Sequence, residues 1–143
     1  MDLSKILVIS GKPDIYRLVS QTKNGAIVES LADKRRMPVF KTDRISSLSE
    51  ISIFTTEEEK PLLEVMQNIF RHENGADIAL DIKHVPSKEL FDYFAAVLPN
   101  YDTERVYASD VKKVLLWYNL LNKAGLVDLE APDAENDEEE KTE

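Results

Sequence analysis

The spacing of apolar positions divides the chain into two halves. Up to residue 55, short runs rich in Val, Ile, Leu and Tyr are separated by turn residues, which is typical of short β-strands. From Thr56 onward, apolar positions recur every three to four residues, which is the period of an amphipathic helix. The pattern predicts an α+β protein with a β-rich front half and an α-helical C-terminal half.

The front half is expected to contain four or five short strands. In chain order the strand segments are KILVI, IYRLVSQ, AIVESL, MPVFK and ISIFT, with TDRISSLSE before the last one as a turn or short 3₁₀ segment. Pro38 places MPVFK at a sheet edge or a bulge. Because so few short strands cannot bury a core as a flat sheet, the pattern favours a small closed or partly closed β-barrel with the layout of SH3-like and Tudor-like folds.

The dipeptide Asn-Gly at 24–25 is a strong signal for a hairpin between the second and third segments. A two-residue loop there sets Val19 opposite Ser30, whereas a four-residue loop over 22–25 sets Val19 opposite Val28. The longer loop pairs apolar with apolar residues across the strands, and it is the one that we expect.

The back half is expected to contain three helices, over about 61–73, 88–98 and 110–123. The candidate N-terminal caps are Thr56 with Glu59, Ser87 and Ser109. The segment DIALDI, between the first two helices, is compatible with a short strand. The predicted organisation is therefore a barrel over 1–56, a helical domain over 57–128 and an acidic tail over 129–143.

The third predicted helix is apolar around most of its circumference. Leu116, Trp117 and Leu120 widen the stripe that its other apolar residues form. A helix of this kind either lies at the centre of a core or faces a partner. A central core helix is the simpler interpretation, and a protein partner or a second copy bound by these three residues is the alternative.

Charge is distributed unevenly along the chain. The net charge of −9 divides into +3 for residues 1–55, −5 for 56–129 and −7 for 130–143. A strongly acidic segment with few apolar residues is expected to be disordered. It would serve as a solubility tail or, alternatively, as an internal mimic of nucleic acid that covers the basic front half.

The basic residues of the front half form the main candidate binding site. They are Arg17, Lys34, Arg35, Arg36, Lys41 and Arg44. Since turns at one end of a small barrel converge, these charges could form one surface for RNA or a ribonucleoprotein. Tyr16, Phe40 and Phe54 would offer faces for stacking bases if they were exposed beside it. The alternative is a solvated basic turn above aromatic residues that belong to the core.

The sequence offers little for catalysis. It contains no cysteine, and SGKPD lacks both the first glycine of a phosphate loop and the Ser or Thr after its lysine. Asp77, Asp81 and His84 could be drawn as a metal site, but their spacing matches no metal motif. We therefore expect a non-enzymatic cytoplasmic protein with no catalytic residues, no metal, no cofactor and no membrane span.

Three segments resemble a known family. ILVISGKPDIYRLVSQTKNGAIVESL, MPVFKTDRISSLSEISIFT and VLPNYDTERVYASDVKKVLLWYNLL are similar to an uncharacterised family of short Bacteroidetes proteins described only as a domain of unknown function. The likeness extends from residue 1 to about 123. It implies a barrel-like front and a helical back half in a cytoplasmic bacterial protein, and it supplies no activity. The expected function is a binding module for RNA or a ribonucleoprotein, or alternatively a protein-interaction adaptor or homodimer that uses the third helix.

Overall fold

The chain forms two units. The computed structural model describes residues 3–10, 14–40 and 42–127. The first unit ends at Glu50 and the second begins at Ile51, whereas the sequence pattern put the boundary after residue 56. The acidic tail that we predicted over 129–143 lies outside the described residues.

The N-terminal unit is a five-stranded antiparallel sheet. Its strands are β1 (Ile6–Ile9), β2 (Ile15–Thr22), β3 (Gly25–Ser30), β4 (Arg36–Phe40) and β5 (Ile45–Ser47), followed by a 3₁₀ turn over Leu48–Glu50. The strand order is β4-β3-β2-β1-β5. In the described part of the chain β4 does not pair with β5, so the predicted barrel closure is not confirmed. The architecture is an antiparallel sheet followed by three helices, as the α+β prediction requires.

One face of the sheet carries an apolar core. Its buried members are Ile9, Tyr16, Val28 and Val39, with Leu7, Leu18, Ala26 and Met37 partly buried against them. Along β4 these residues alternate with exposed residues, because successive side chains of a strand point to opposite faces. On β1 and β2 the intervening residues Ile6 and Ile15 are buried as well, so hydrophobic alternation identifies this face only on part of the sheet.

The register of the β2–β3 hairpin differs from the prediction. Thr22 pairs with Gly25, so the loop has two residues, and the register shifts around Val19 so that Leu18 pairs with Val28. The predicted four-residue loop is therefore wrong. A β-bulge absorbs one residue of β2 and still brings an apolar pair together across the strands, an option that loop length alone does not reveal.

The segment ISIFT, predicted as the last strand of the barrel, does not join the N-terminal sheet, so that prediction is wrong. The fifth strand is β5, from the segment predicted as a turn, and that segment also supplies the 3₁₀ turn. Ser52–Ile53 (β6) instead pairs with Lys60–Pro61 (β7) in the C-terminal unit. Alternation identifies a strand but does not say which sheet it joins.

The three helices of the C-terminal unit are confirmed close to their predicted bounds: α1 (Leu62–His72), α2 (Ser87–Val97) and α3 (Ala108–Lys123). The predicted caps are wrong, since the N-cap residues are Pro61, Pro86 and Tyr107. Asp110 accepts a hydrogen bond from the Tyr107 N–H at 3.0 Å and so stabilises the start of α3. Pro61 and Pro86 preset the backbone before α1 and α2, and neither helix has a side-chain hydrogen bond at its N-cap.

The segment DIALDI is not a strand, although Ile78 and Ile82 are buried. Side chains from α3 bond to its backbone instead. Asn119 bonds to both backbone groups of Ile78, and just before the segment the Tyr118 hydroxyl donates to the Ala76 carbonyl at 2.9 Å. The buried backbone groups of Ile78 are therefore satisfied without a neighbouring strand.

None of the helices in the described part of the chain has the length and apolar content that crossing a membrane requires.

Candidate functional site

Two predicted basic residues share one buried carboxylate. Arg17, Glu29 and Arg36 are register neighbours on β2, β3 and β4. Arg17 Nη2 lies 3.2 Å and Arg36 Nε 3.3 Å from the Glu29 carboxylate. The Glu29 side chain is 11% exposed, against 46% for Arg17 and 65% for Arg36. The surface above this group therefore presents guanidinium groups and hides the carboxylate.

The turn between β3 and β4 presents two further cations. Lys34 adopts a left-handed conformation with φ of 65°, and Arg35 is 87% exposed. Ser30 Oγ accepts hydrogen bonds from the Ala32 and Asp33 N–H groups and donates to Asp14. The Arg35 backbone N–H donates a hydrogen bond to the Asp33 carboxylate, and this bond is the main cause that lowers the pKa of Asp33. The turn is held by its own polar groups while its cations remain in solvent.

Arg44 lies at the same end of the sheet as this turn. Its carbonyl accepts a hydrogen bond from the Ser10 N–H at 2.9 Å, just beyond the C-terminal end of β1. The register puts this end of β1 level with the turn after β3 and with the residues before β5. Arg17 and Arg36 are level with Ile6, about 13 Å further back along β1. We call this region the basic end, and its members are Arg17, Lys34, Arg35, Arg36 and Arg44. Lys41, the sixth predicted residue, lies outside the described residues.

The predicted stacking aromatics do not accompany the basic end. Tyr16 is buried in the sheet core. Phe40 is exposed, but it pairs with Gly25 at the end of β4 away from Arg36. Phe54 belongs to the C-terminal unit. The sheet therefore offers charge at this end without an aromatic platform from these three residues.

On α3, the three predicted partner-binding residues differ in burial. Trp117 is buried at 9% exposure, whereas Leu116 and Leu120 are half-buried. Trp117 nevertheless lines a partly open cleft of about 220 Å³. The cleft is lined by Ile51, Ile53, Phe54, Val106, Val114 and Trp117, with Ser52, Arg105, Asp110 and Lys113 as its polar members. Sequence reasoning named Phe54 and Trp117 in separate roles but did not predict that they line one cleft, because the β6 segment and α3 are far apart along the chain.

Arg105 is held at this cleft by two contacts. Its guanidinium carbon lies 4.3 Å from the centroid of the Phe54 ring, which is a cation–π geometry. Its Nε donates to the Asp102 carboxylate at 2.9 Å. This hydrogen bond is the main cause that lowers the pKa of Asp102. The two contacts fix Arg105 at the cleft with its terminal nitrogens still able to donate.

The structure does not bring together Asp77, Asp81 and His84, the three residues considered as a metal site. Asp77 accepts from Asn122 at 2.8 Å, whereas Asp81 contacts His84 Nδ1 at 3.1 Å. Within the described ranges, no three His, Asp or Glu side chains are grouped as metal ligands would be.

A polar cluster that the sequence did not indicate lies where α1 ends. The Tyr93 hydroxyl donates to the Glu73 carboxylate, and the His72 and Tyr93 rings meet edge to face with centroids 5.3 Å apart. Burial is the main cause that raises the pKa of Tyr93, and it raises the pKa of Tyr118 to about 12. Both hydroxyls are therefore protonated donors near neutral pH, which suits a structural role.

Fold and site together define a two-unit α+β protein, with a charged sheet end in one unit and an apolar cleft in the other. Comparison with known proteins follows the same division. Residues 3–48 match a domain of unknown function, DUF5606, and residues 51–121 match a second, DUF6852. The chain belongs to this uncharacterised Bacteroidetes family, as the sequence resemblance predicted.

One similar solved structure is a solution NMR structure of a protein from Bacteroides vulgatus, a target of the Northeast Structural Genomics Consortium. It is 44% identical to this chain with a TM-score of 0.74, and the match covers 92% of this chain and 94% of that one. The comparison with curated proteins gave no match.

Proposed function

We propose that the protein is a non-enzymatic binding module whose N-terminal unit contacts RNA or a ribonucleoprotein through the basic end. The observation that supports this proposal is that cations from β2, β4, the β3–β4 turn and the residue before β5 all lie in the half of the sheet that contains this turn, within about 13 Å along the strand direction. Exposed guanidinium groups are well suited to phosphate, because their planar donors can bind two oxygens at once.

The acidic residues at the basic end offset only part of its charge. Glu29 lies beneath Arg17 and Arg36, and Asp33 lies 4.0 Å from Arg35. Asp14, which accepts a hydrogen bond from Ser30 Oγ, is a third carboxylate at this end. Five cations against these three carboxylates still leave the basic end positive. Since the whole chain carries −9, we expect a weak contact that falls steeply with added salt.

We further propose that the sheet curls into a partly closed, SH3-like barrel, which would bring Arg36 and Arg44 closer together. Support comes from the short connection between β4 and β5. The five residue-to-residue steps from Phe40 to Ile45 span at most about 18 Å. In a flat sheet these residues would lie on opposite edges, about 19 Å apart across the strands, and at opposite ends as well.

Both edges of the sheet are protected against pairing, which fits a curled sheet that stays open. Pro38 on β4 has no N–H, and the Phe40 N–H donates to Asp43 at 2.8 Å. On β5, the Ser47 N–H donates to Glu50 at 3.3 Å. Local carboxylates and a proline are common ways of blocking strand addition.

The double substitution Lys34→Glu with Arg35→Glu tests the proposed RNA contact. It leaves Arg17, Glu29 and Arg36 in place. Binding is measured as the anisotropy of a labelled single-stranded RNA oligonucleotide over a series of salt concentrations. At low salt, the double variant should bind this RNA at least about tenfold more weakly than the unsubstituted protein. The slope of log affinity against log salt should also decrease by about one to two, because phosphate contacts are lost.

The matched control is Lys5→Glu with Lys23→Glu. It makes the same charge change in the same unit, and Lys23 lies in the β2–β3 turn at the other end of the sheet. Circular dichroism checks that both variants fold. Equal losses in the two double variants, or no RNA binding by the unsubstituted protein, would refute the basic end as the site.

A further inference from the structure

The cleft beside α3 has a chemistry that the proposed RNA contact does not use. Sites for drug-sized molecules and cofactors occupy about 300–1,000 Å³. This cleft, at about 220 Å³, is smaller, and its walls are aliphatic and aromatic with Trp117 among them. Its size and lining suit one bulky apolar side chain better than a cofactor.

The polar members of the cleft give its occupant a preferred charge. Lys113 is exposed and has no ion-pair partner among the residues that the structure describes. Arg105 uses Nε for Asp102 and keeps its two terminal nitrogens as donors. The one acid of the lining, Asp110, accepts the Tyr107 N–H at the start of α3, where a negative charge also interacts favourably with the helix dipole. Lys113 and Arg105 therefore favour a carboxylate.

We infer that this cleft binds a segment of a partner protein that carries one bulky apolar side chain between acidic residues. The apolar side chain packs against Trp117, and the flanking carboxylates pair with Lys113 and Arg105. A segment with basic flanks is disfavoured by repulsion from the same two cations. This inference gives the protein-interaction alternative a definite site in the C-terminal unit, independent of the basic end.

Trp117 makes the inference testable on the full chain, since it is the only tryptophan in the sequence. Its fluorescence is followed while the peptide acetyl-Asp-Asp-Phe-Asp-Asp-amide is added. We expect a saturable change, and binding at least about tenfold weaker for peptides with alanine in place of phenylalanine or lysine in place of aspartate.

Substitution of the cleft lysine provides the second arm. The substitution Lys113→Glu should weaken binding of the acidic peptide at least about tenfold. Lys83 is an exposed lysine outside the cleft lining, and Lys83→Glu should change the affinity for this peptide less than about twofold. RNA binding should be the same in both variants, which separates this result from the test of the basic end.

Three results would overturn the inference. The first is the absence of a saturable change with the acidic peptide, and the second is equal binding of that peptide by the Lys113→Glu variant. The third is a Trp117 signal that depends on protein concentration without peptide, accompanied by a dimer in light scattering, because a second copy would then be the occupant.

Discussion

At the scale of single residues, Asn119 satisfies the backbone of a buried segment that has no strand beside it. Its amide oxygen accepts from the Ile78 N–H at 2.8 Å, and its amide nitrogen donates to the Ile78 carbonyl at 3.3 Å. Ile78 is 5% exposed, so water reaches these groups poorly. Buried backbone groups that lose a partner are costly, which makes this side chain a strong determinant of the C-terminal unit.

Asn119→Leu should therefore lower the free energy of unfolding by about 2–3 kcal/mol, as measured by chemical denaturation. The comparison variant is Asn68→Leu. The Asn68 amide makes a single bond to a backbone group, the Val97 carbonyl, at 3.1 Å, so its loss should cost about 1 kcal/mol. Equal effects would show that the paired bonds of Asn119 contribute nothing beyond an ordinary hydrogen bond.

At the scale of elements, the close packing of β3 against β4 depends on one glycine. A Cβ atom added at Gly25 would lie 1.9 Å from the Val39 carbonyl oxygen. Gly25 pairs with both Thr22 and Phe40, so it joins the hairpin to the edge strand. Gly25 therefore allows the two backbones to approach closely, whereas the sequence suggested that it was needed only for the turn.

Gly25→Ala should consequently destabilise the N-terminal unit by more than about 2 kcal/mol, because backbone atoms must move apart. Gly125→Ala provides the contrast. Gly125 has a φ of +74° and nothing within 4 Å of an added Cβ, so alanine there should cost only about 1 kcal/mol of backbone strain. Thermal unfolding of both variants decides the order, and a smaller loss for Gly25→Ala would contradict the close approach.

For the molecule as a whole, the distribution of charge influences the affinity for nucleic acid. The N-terminal half is mildly positive, and residues 130–143 contribute −7 of the net −9. At low ionic strength, charges anywhere on a small protein affect the approach of a polyanion, because the screening length is about 30 Å at 0.01 M salt. The acidic segment should therefore weaken RNA binding through its field.

The substitutions Glu138→Gln, Glu139→Gln and Glu140→Gln should raise RNA affinity a few-fold at about 0.01 M salt and much less at 0.15 M, where the screening length is about 8 Å. The same anisotropy measurement checks this. An effect that does not depend on salt would point away from a charge effect. No change at either salt concentration would show that the acidic segment does not influence RNA binding.

Much of the fold was predictable from local patterns. The helices α1 to α3 follow from the helical period, and four of the five strands of the sheet follow from short apolar runs. The position of β5 was not predictable, because ISS has little apolar character and its pairing with β1 joins distant residues. The same holds for the candidate sites. The basic residues can be identified from the sequence, whereas the ion pairs of Glu29 and the lining of the cleft cannot, because they join residues far apart along the chain.

Residue type and spacing within a few turns or strand residues were enough to predict the α+β class, the three helices and the uneven charge, and the likeness of three segments was enough to predict the family. Local patterns did not predict the hairpin bulge, the strand order, the partner of β6 or the neighbours of Trp117. These depend on contacts between residues far apart along the chain, where several pairings satisfy the same local pattern and packing selects one.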